Sequence, residues 1–201
     1  GHEGMCKRVV GGHWDRAAKL GELALTNKVE AYNLPQGVIT HMYRDIAAHN
    51  IGTITHVGLN TFVDPRHGGG KLNERTKEDL VKLVNIEGEE RLLYKPIPID
   101  VCLVRGSYAD EYGNCTVHRE IGPLDVTAQC QATKNSGGIV IVQVEKLLQG
   151  GTLDPRLVKI PGIYVDAIVV GAPEDNNQCL GMAYDGALSG EFRIPMDDIP
   201  P

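Results

Sequence analysis

Val29-Glu30-Ala31-Tyr32-Asn33-Leu34-Pro35-Gln36-Gly37-Val38 is the stretch on which the reading of the fold turns. Its first part, Val29 to Leu34, is a short extended run. Pro35 has the fixed φ that suits the opening of a helix, and beyond it Val38, Ile39, Met42, Ile46 and Ala47 fall along one helical face. Asn33 stands where a cap would. A strand running straight into a helix leaves the first-turn amides without partners at the positive end of the helix dipole, a place suited to an oxyanion or a polarised carbonyl. Gln36 adds a neutral amide donor on that turn. The same spacing also fits a plain packing turn in which Gly37 eases close approach, and spacing does not choose between the two.

Outward from this turn, helical and extended signals alternate, as in an α/β domain built on an open, mostly parallel sheet with helices on both faces. Ala18, Leu20, Leu23 and Leu25 mark an amphipathic helix over Asp15 to Lys28. Thr53 to Leu59 reads as extended and leads into a glycine-rich loop, Asp64-Pro65-Arg66-His67-Gly68-Gly69-Gly70. Leu80 to Ile86 and Arg91 to Tyr94 flank Glu87-Gly88-Glu89-Glu90, a hairpin signal. Ile97 to Val104 is a strand, the Ala109 to Asn114 turn leads into Cys115-Thr116-Val117, and Pro123 to Thr133 is a third helix ended by Asn135-Ser136-Gly137-Gly138. Ile139 to Val142 and Ile163 to Val170 have the near-continuous apolar character of central parallel strands buried on both faces. Residues 1–201 are expected to form a single α/β domain, with Ile199-Pro200-Pro201 as a linker.

Composition removes several classes of function. The 201 residues carry 20 Lys+Arg against 26 Asp+Glu, a net charge of -6, and only one Trp, seven Tyr and two Phe. That leaves no basic footprint for nucleic acid. The apolar runs fall well short of the roughly 20 residues that cross a bilayer, so no membrane partner is expected. The polar start, Gly1-His2-Glu3-Gly4-Met5-Cys6, does not read as a signal peptide, and a first residue other than Met suggests a piece of something longer. Five scattered cysteines without a CxxC spacing encode neither a disulfide framework nor a zinc site. A reducing cytoplasm is the expected compartment.

Other motifs carry less. Arg66-His67-Gly68-Gly69-Gly70-Lys71 fails the phosphate-loop pattern, because Pro65 replaces its first Gly and Leu72 stands where Ser or Thr is required. It reads as a mobile turn, with a lid as the lesser option. The seven histidines show no HExxH spacing, no metal site is expected, and no GxSxG elbow exists. Glu174 and Asp175 follow the end of a predicted strand but fit ordinary surface carboxylates.

Several separate blocks, in order, carry a family likeness: Val29 to Val38; Gly52-Thr53-Ile54-Thr55-His56-Val57-Gly58-Leu59-Asn60-Thr61-Phe62-Val63-Asp64-Pro65-Arg66; and Pro98-Ile99-Asp100-Val101 with Arg105-Gly106 and Ala109-Asp110. Together they resemble the family I coenzyme A transferases, and within them the single-chain propionate or acetate type. The likeness runs from Gly1-His2-Glu3-Gly4 to at least Val170. It implies most of the first half of a longer, two-half enzyme that moves CoA between short-chain acyl groups and carboxylates, with acyl-CoA as substrate, no further cofactor, and a homo-oligomeric assembly. The attacking glutamate of such enzymes belongs to the second half, whose motif is absent here, as is the family's glycine-containing segment near the amino terminus. Carried over by position, Gln36 is the expected catalytic residue facing the acyl group, with Asn33, Gly37, Gly58 and Asn60 expected at the substrate. An acyl-CoA hydrolase on the same scaffold and a non-catalytic ligand-binding domain are the alternatives.

Overall fold

The computed structural model describes residues 1–179 and 181–198; the linker read at 199–201 lies outside the described residues. The chain packs as two compact units, Gly1–Ile97 and Pro98–Pro201.

In the first unit, β1 (Arg8–Gly11), α1 (Ala18–Leu25), β2 (Glu30–Asn33), α2 (Gln36–Ala47), β3 (Thr53–Thr55), β4 (Val81–Ile86) and β5 (Glu89–Tyr94) follow in order. β1 and β2 pair in parallel, with Gly11 opposite Asn33. The expected first helix is shortened to α1, and the extension after Gly52 stops at Thr55. β4 and β5 form the predicted hairpin, with β3 on the other side of β5, antiparallel throughout. Its two-residue turn places both Glu87 and Gly88 at positive φ, 52° and 88°, the combination whose twist matches that of paired strands. Val29, Ala31, Tyr32, Leu34, Leu92 and Tyr94 are buried, so β2 and β5 carry much of this unit's interior.

The second unit contains β6 (Val101–Arg105), β7 (Tyr108–Asp110), β8 (Cys115–Thr116), α3 (Val126–Asn135), β9 (Ile139–Val144), β10 (Lys146–Leu148), β11 (Val158–Ile160), β12 (Ala167–Val170) and α4 (Gly186–Ser189). β9 lies between β6 and β12, parallel to both. A second sheet runs β10-β7-β8-β11. The mixed α/β class is as read from the sequence.

Three details of this unit differ from expectation, the first being that the strand read from Ile97 starts only at Val101. Pro161 leads into a turn at Gly162–Tyr164, so the last parallel strand starts only at Ala167. The central strands are not buried on both faces. Val140, Val142 and Val144 of β9 are fully buried, whereas Leu103 of β6 is 75% exposed and Val101, Ile139 and Val169 are about half exposed. Alternate residues of a strand point to opposite faces, so only the inward set packs, each buried Val contributing roughly 1.5–3 kcal/mol. Cys115 in β8 is fully buried among these side chains, and burial pushes its thiol up to about 12. All five cysteines are free.

Candidate functional site

The site is built at the carboxyl ends of β1 and β2. Leu34 N–H donates to Gly11 O at 3.0 Å, which extends the ladder one step beyond the paired strands. Pro35, with φ -56° and ψ 128°, then turns the chain into α2. Its carbonyl accepts from the amides of Val38 (2.9 Å) and Ile39 (3.1 Å). Among the described residues the amides of Gln36 and Gly37 have no acceptor. Leu34 and Val38 anchor the turn in the interior while Gln36 and Gly37 stand exposed between them. Two unclaimed donors at a helix start are therefore presented to the outside.

Asn33 does not cap this helix. It is the last residue of β2, the N-cap is Pro35, and no side chain closes the turn. The amide of Asn33 is instead bound to Gly70 O at 2.9 Å. The helix simply starts two residues later than a cap at position 33 would place it.

A cleft of about 900 Å³ opens alongside the turn, lined by Pro35, Gly37, Val38 and His41 of the helix side and by Thr55 and Val57 across from them. A methyl group on Gly37 would meet no protein atom within 4 Å. Gly37 therefore does not serve close packing; it keeps the helix start open toward the cleft. At the far end Asp45 accepts from Thr53 Oγ1 (2.5 Å) and Asn50 Nδ2 (2.9 Å), which occupies both its oxygens. Among the described residues no cluster of His, Cys, Asp or Glu could hold a metal ion.

Gln36 is not part of this lining; it lies against Gly12, the residue after β1. A methyl group built on Gly12 would fall 2.6 Å from Gln36 Oε1 and 2.9 Å from its Cα and Cβ.

Gly58 and Asn60 belong to a loop organised from within by Asp64. This fully buried carboxylate accepts from Asn60 N (3.0 Å), from Arg66 N (3.0 Å), and from Arg66 Nε and Nη2 (3.0 and 2.7 Å). The Arg66 guanidinium holds its carboxyl well below the usual carboxylate range. Arg66 reaches on to Glu90 at 3.2 Å. Gly58, at φ 102°, sits where a methyl group would strike the Tyr94 hydroxyl at 2.5 Å. That hydroxyl donates to Val57 O at 2.8 Å, and burial pushes it up to about 12. Gly58 and Asn60 thus contribute backbone to a packed loop, and only their neighbour Val57 lines the cleft. The glycine-rich stretch is tied down rather than free: Gly69 and Gly70 amides bond Asp64 O and Phe62 O, both at 3.0 Å, and Gly70 O takes the Asn33 amide.

The sequence drew attention to Pro35, Gln36 and Gly37 and to the loop from Gly58 to Asp64, but missed Gly12 and the part Asp64 plays in organising that loop. Asp64 before Pro65 is a recognisable turn signal, since a side-chain carboxylate there can bond its own backbone two residues on. Gly12 gives no local signal. Glu174 and Asp175 are exposed in a short turn.

Residues 2–171 match the Coenzyme A transferase family. The chain belongs to that family. It is 44% identical over 192 residues to an acetate CoA-transferase of Escherichia coli K12, covering 96% of this chain and 36% of that protein. It is 47% identical over 204 residues to a caffeate CoA-transferase of Acetobacterium woodii, covering 100% of this chain and 38% of that protein. A crystal structure of an acyl-CoA transferase from Escherichia coli O157:H7, in a thioester complex with CoA, superposes with a TM-score of 0.91 at 44% identity, covering 96% of this chain and 38% of that one. The chain thus spans a little over a third of the length of these CoA-transferases. No helix among the described residues is long and apolar enough to cross a membrane.

Proposed function

We propose that these residues are most of the first half of a longer acyl-CoA:carboxylate CoA-transferase, a cytoplasmic homo-oligomer in which the start of α2 steadies the reacting acyl oxygen. The observation that carries this reading is the exposed Gln36-Gly37 turn, whose two amides have no acceptor among the described residues and which borders an open cleft. Membership of the family and the CoA thioester complex of a relative support CoA as substrate.

A carboxylate nucleophile supplied by the second half attacks the thioester carbon, and the carbonyl oxygen gains charge. Amide donors already aimed at that oxygen stabilise it without reorganising. Expulsion of the CoA thiolate leaves an acyl anhydride. The thiolate then attacks the enzyme's own carbonyl, releasing the first carboxylate and leaving an enzyme-bound CoA thioester for the acceptor. Gln36 faces the acyl group, and Gly37 keeps the helix start bare for its approach. Asn33, Gly58 and Asn60 shape the neighbouring rim through their backbones.

The test is CoA exchange by the full-length protein between acetyl- or propionyl-CoA and a carboxylate. Thiol release that needs no acceptor would turn the reading to a hydrolase, and calorimetry showing sugar phosphate bound without CoA would turn it to a binding domain. Gly37→Ala gives a sharper check. With no protein atom in its way and a better helix former in place, the variant is expected to be as stable as the parent or up to about 1 kcal/mol more stable. Its turnover is expected to fall about tenfold, because the methyl group stands where a stabilised oxygen must come close. Thermal unfolding and steady-state kinetics on the same preparation check both halves.

A further inference from the structure

We propose that Gly12 is a positioning residue for Gln36, its bare α-carbon forming the seat against which the first residue of α2 and its side-chain amide are held; this rests on the reading of Gln36 given above. Parallel pairing of β1 with β2 brings the two residues side by side, although they are far apart in sequence. A methyl group at position 12 would lie 2.6 Å from Gln36 Oε1 and 2.9 Å from Gln36 Cα and Cβ, closer than real contacts of this kind. Any side chain at position 12 therefore requires something to move.

What moves is set by the surroundings. Backbone conformation is not the reason for glycine here, since Gly12 is absent from the glycines with positive φ. On either side of the contact the chain is pinned: Gly11 O holds the Leu34 amide, and Gly70 O holds the Asn33 amide. Leu34 and Val38 are fixed in the interior. Gln36 is exposed, and its own amide has no acceptor among the described residues, so displacement falls on it. Gly37, one residue on, shows the opposite environment, with nothing near a methyl group. The two glycines thus do different work: one leaves room for a ligand, the other leaves room for the residue that meets it.

The consequence is kinetic. A misplacement of about 1 Å in a group that meets the transition state can cost up to roughly 100-fold in rate. In the full-length enzyme, kcat and KM for acyl-CoA and for the acceptor carboxylate are measured for Gly12→Ala, Gln36→Asn, Gln36→Ala and the Gly12→Ala/Gln36→Ala double variant. Gly12→Ala is expected to lower kcat at least about tenfold with both KM values changed by less than about twofold. Gln36→Asn keeps the amide but draws it one methylene back from Gly12, and is expected to lose a similar factor. In the Gln36→Ala background, Gly12→Ala is expected to add little further loss, because its target is already gone.

A kcat for Gly12→Ala within about twofold of the parent overturns the proposal, as does full activity of Gln36→Asn. An equal further loss when Gly12→Ala is added to Gln36→Ala assigns Gly12 to general packing and overturns it too. If Gly12→Ala yields no folded enzyme, Gln36→Asn alone decides. Normal turnover by Gln36→Ala brings down the reading of Gln36 itself, whereas an impaired Gln36→Ala beside a normal Gly12→Ala removes only the seat.

Discussion

Replacing Gln36 by alanine in the full-length enzyme is expected to lower kcat at least about 100-fold, with the melting temperature unchanged. The size follows from the task assigned to the residue. A donor that meets the substrate equally before and during reaction changes KM, whereas one aimed at developing charge changes kcat. The constancy of stability follows from its place: Gln36 is exposed at the first position of α2, alanine is an excellent helix former, and among the described residues its side chain makes no hydrogen bond within the fold. Steady-state kinetics with acetyl-CoA and a carboxylate, run beside a thermal melt, measure both quantities. Turnover near the parent value would remove Gln36 from the mechanism.

The second large effect lies in stability. Asp64→Ala is expected to lower the unfolding free energy by about 3 kcal/mol, read as a shift of the urea midpoint at constant slope. Four donors converge on this fully buried carboxylate, two of them backbone amides that lose their acceptor once it is gone. The Arg66 side chain is 40% exposed, so hydration of its guanidinium recovers part of the loss and keeps the cost below that of stripping a wholly buried ion pair. The pH dependence has a definite sign. The carboxyl is held well below its ordinary range in the folded chain, chiefly by the Arg66 guanidinium. On acidification the unfolded chain therefore takes up the proton first, near pH 4. Stability from this group is complete above that pH and drains away as the pH falls toward the folded value. Urea midpoints taken at neutral pH and in acid should converge between the parent and Asp64→Asn at the acid end; parallel curves would show that the carboxylate is not the source.

What could be read in advance was local. Pro35 together with the helical spacing of Val38, Met42 and Ile46 fixed the strand-turn-helix unit, because a proline and a periodic apolar face act within a few residues. The hairpin around Glu87 and Gly88 was legible for the same reason. Asn33 reads as a cap because an Asn three residues before a helix start carries the same local signal whether or not the strand persists through it. The parallel run Ile139 to Val142 was found, but its alternation of buried and open positions was masked by residues apolar on both sides. The role of Gly12 and the full set of donors on Asp64 were out of reach for a different cause. The first depends on a neighbour delivered by strand pairing, and the second on a loop closing on itself. Neither relation has a period.

The interior position of Cys115 in β8 gives the second unit a built-in clock. A thiol that must be both uncovered and ionised before it reacts is alkylated only as often as the strands around it part. Reagent uptake at this one atom, followed by mass against the half-buried Cys6 and Cys179, reports the opening of the interior with no foreign label introduced.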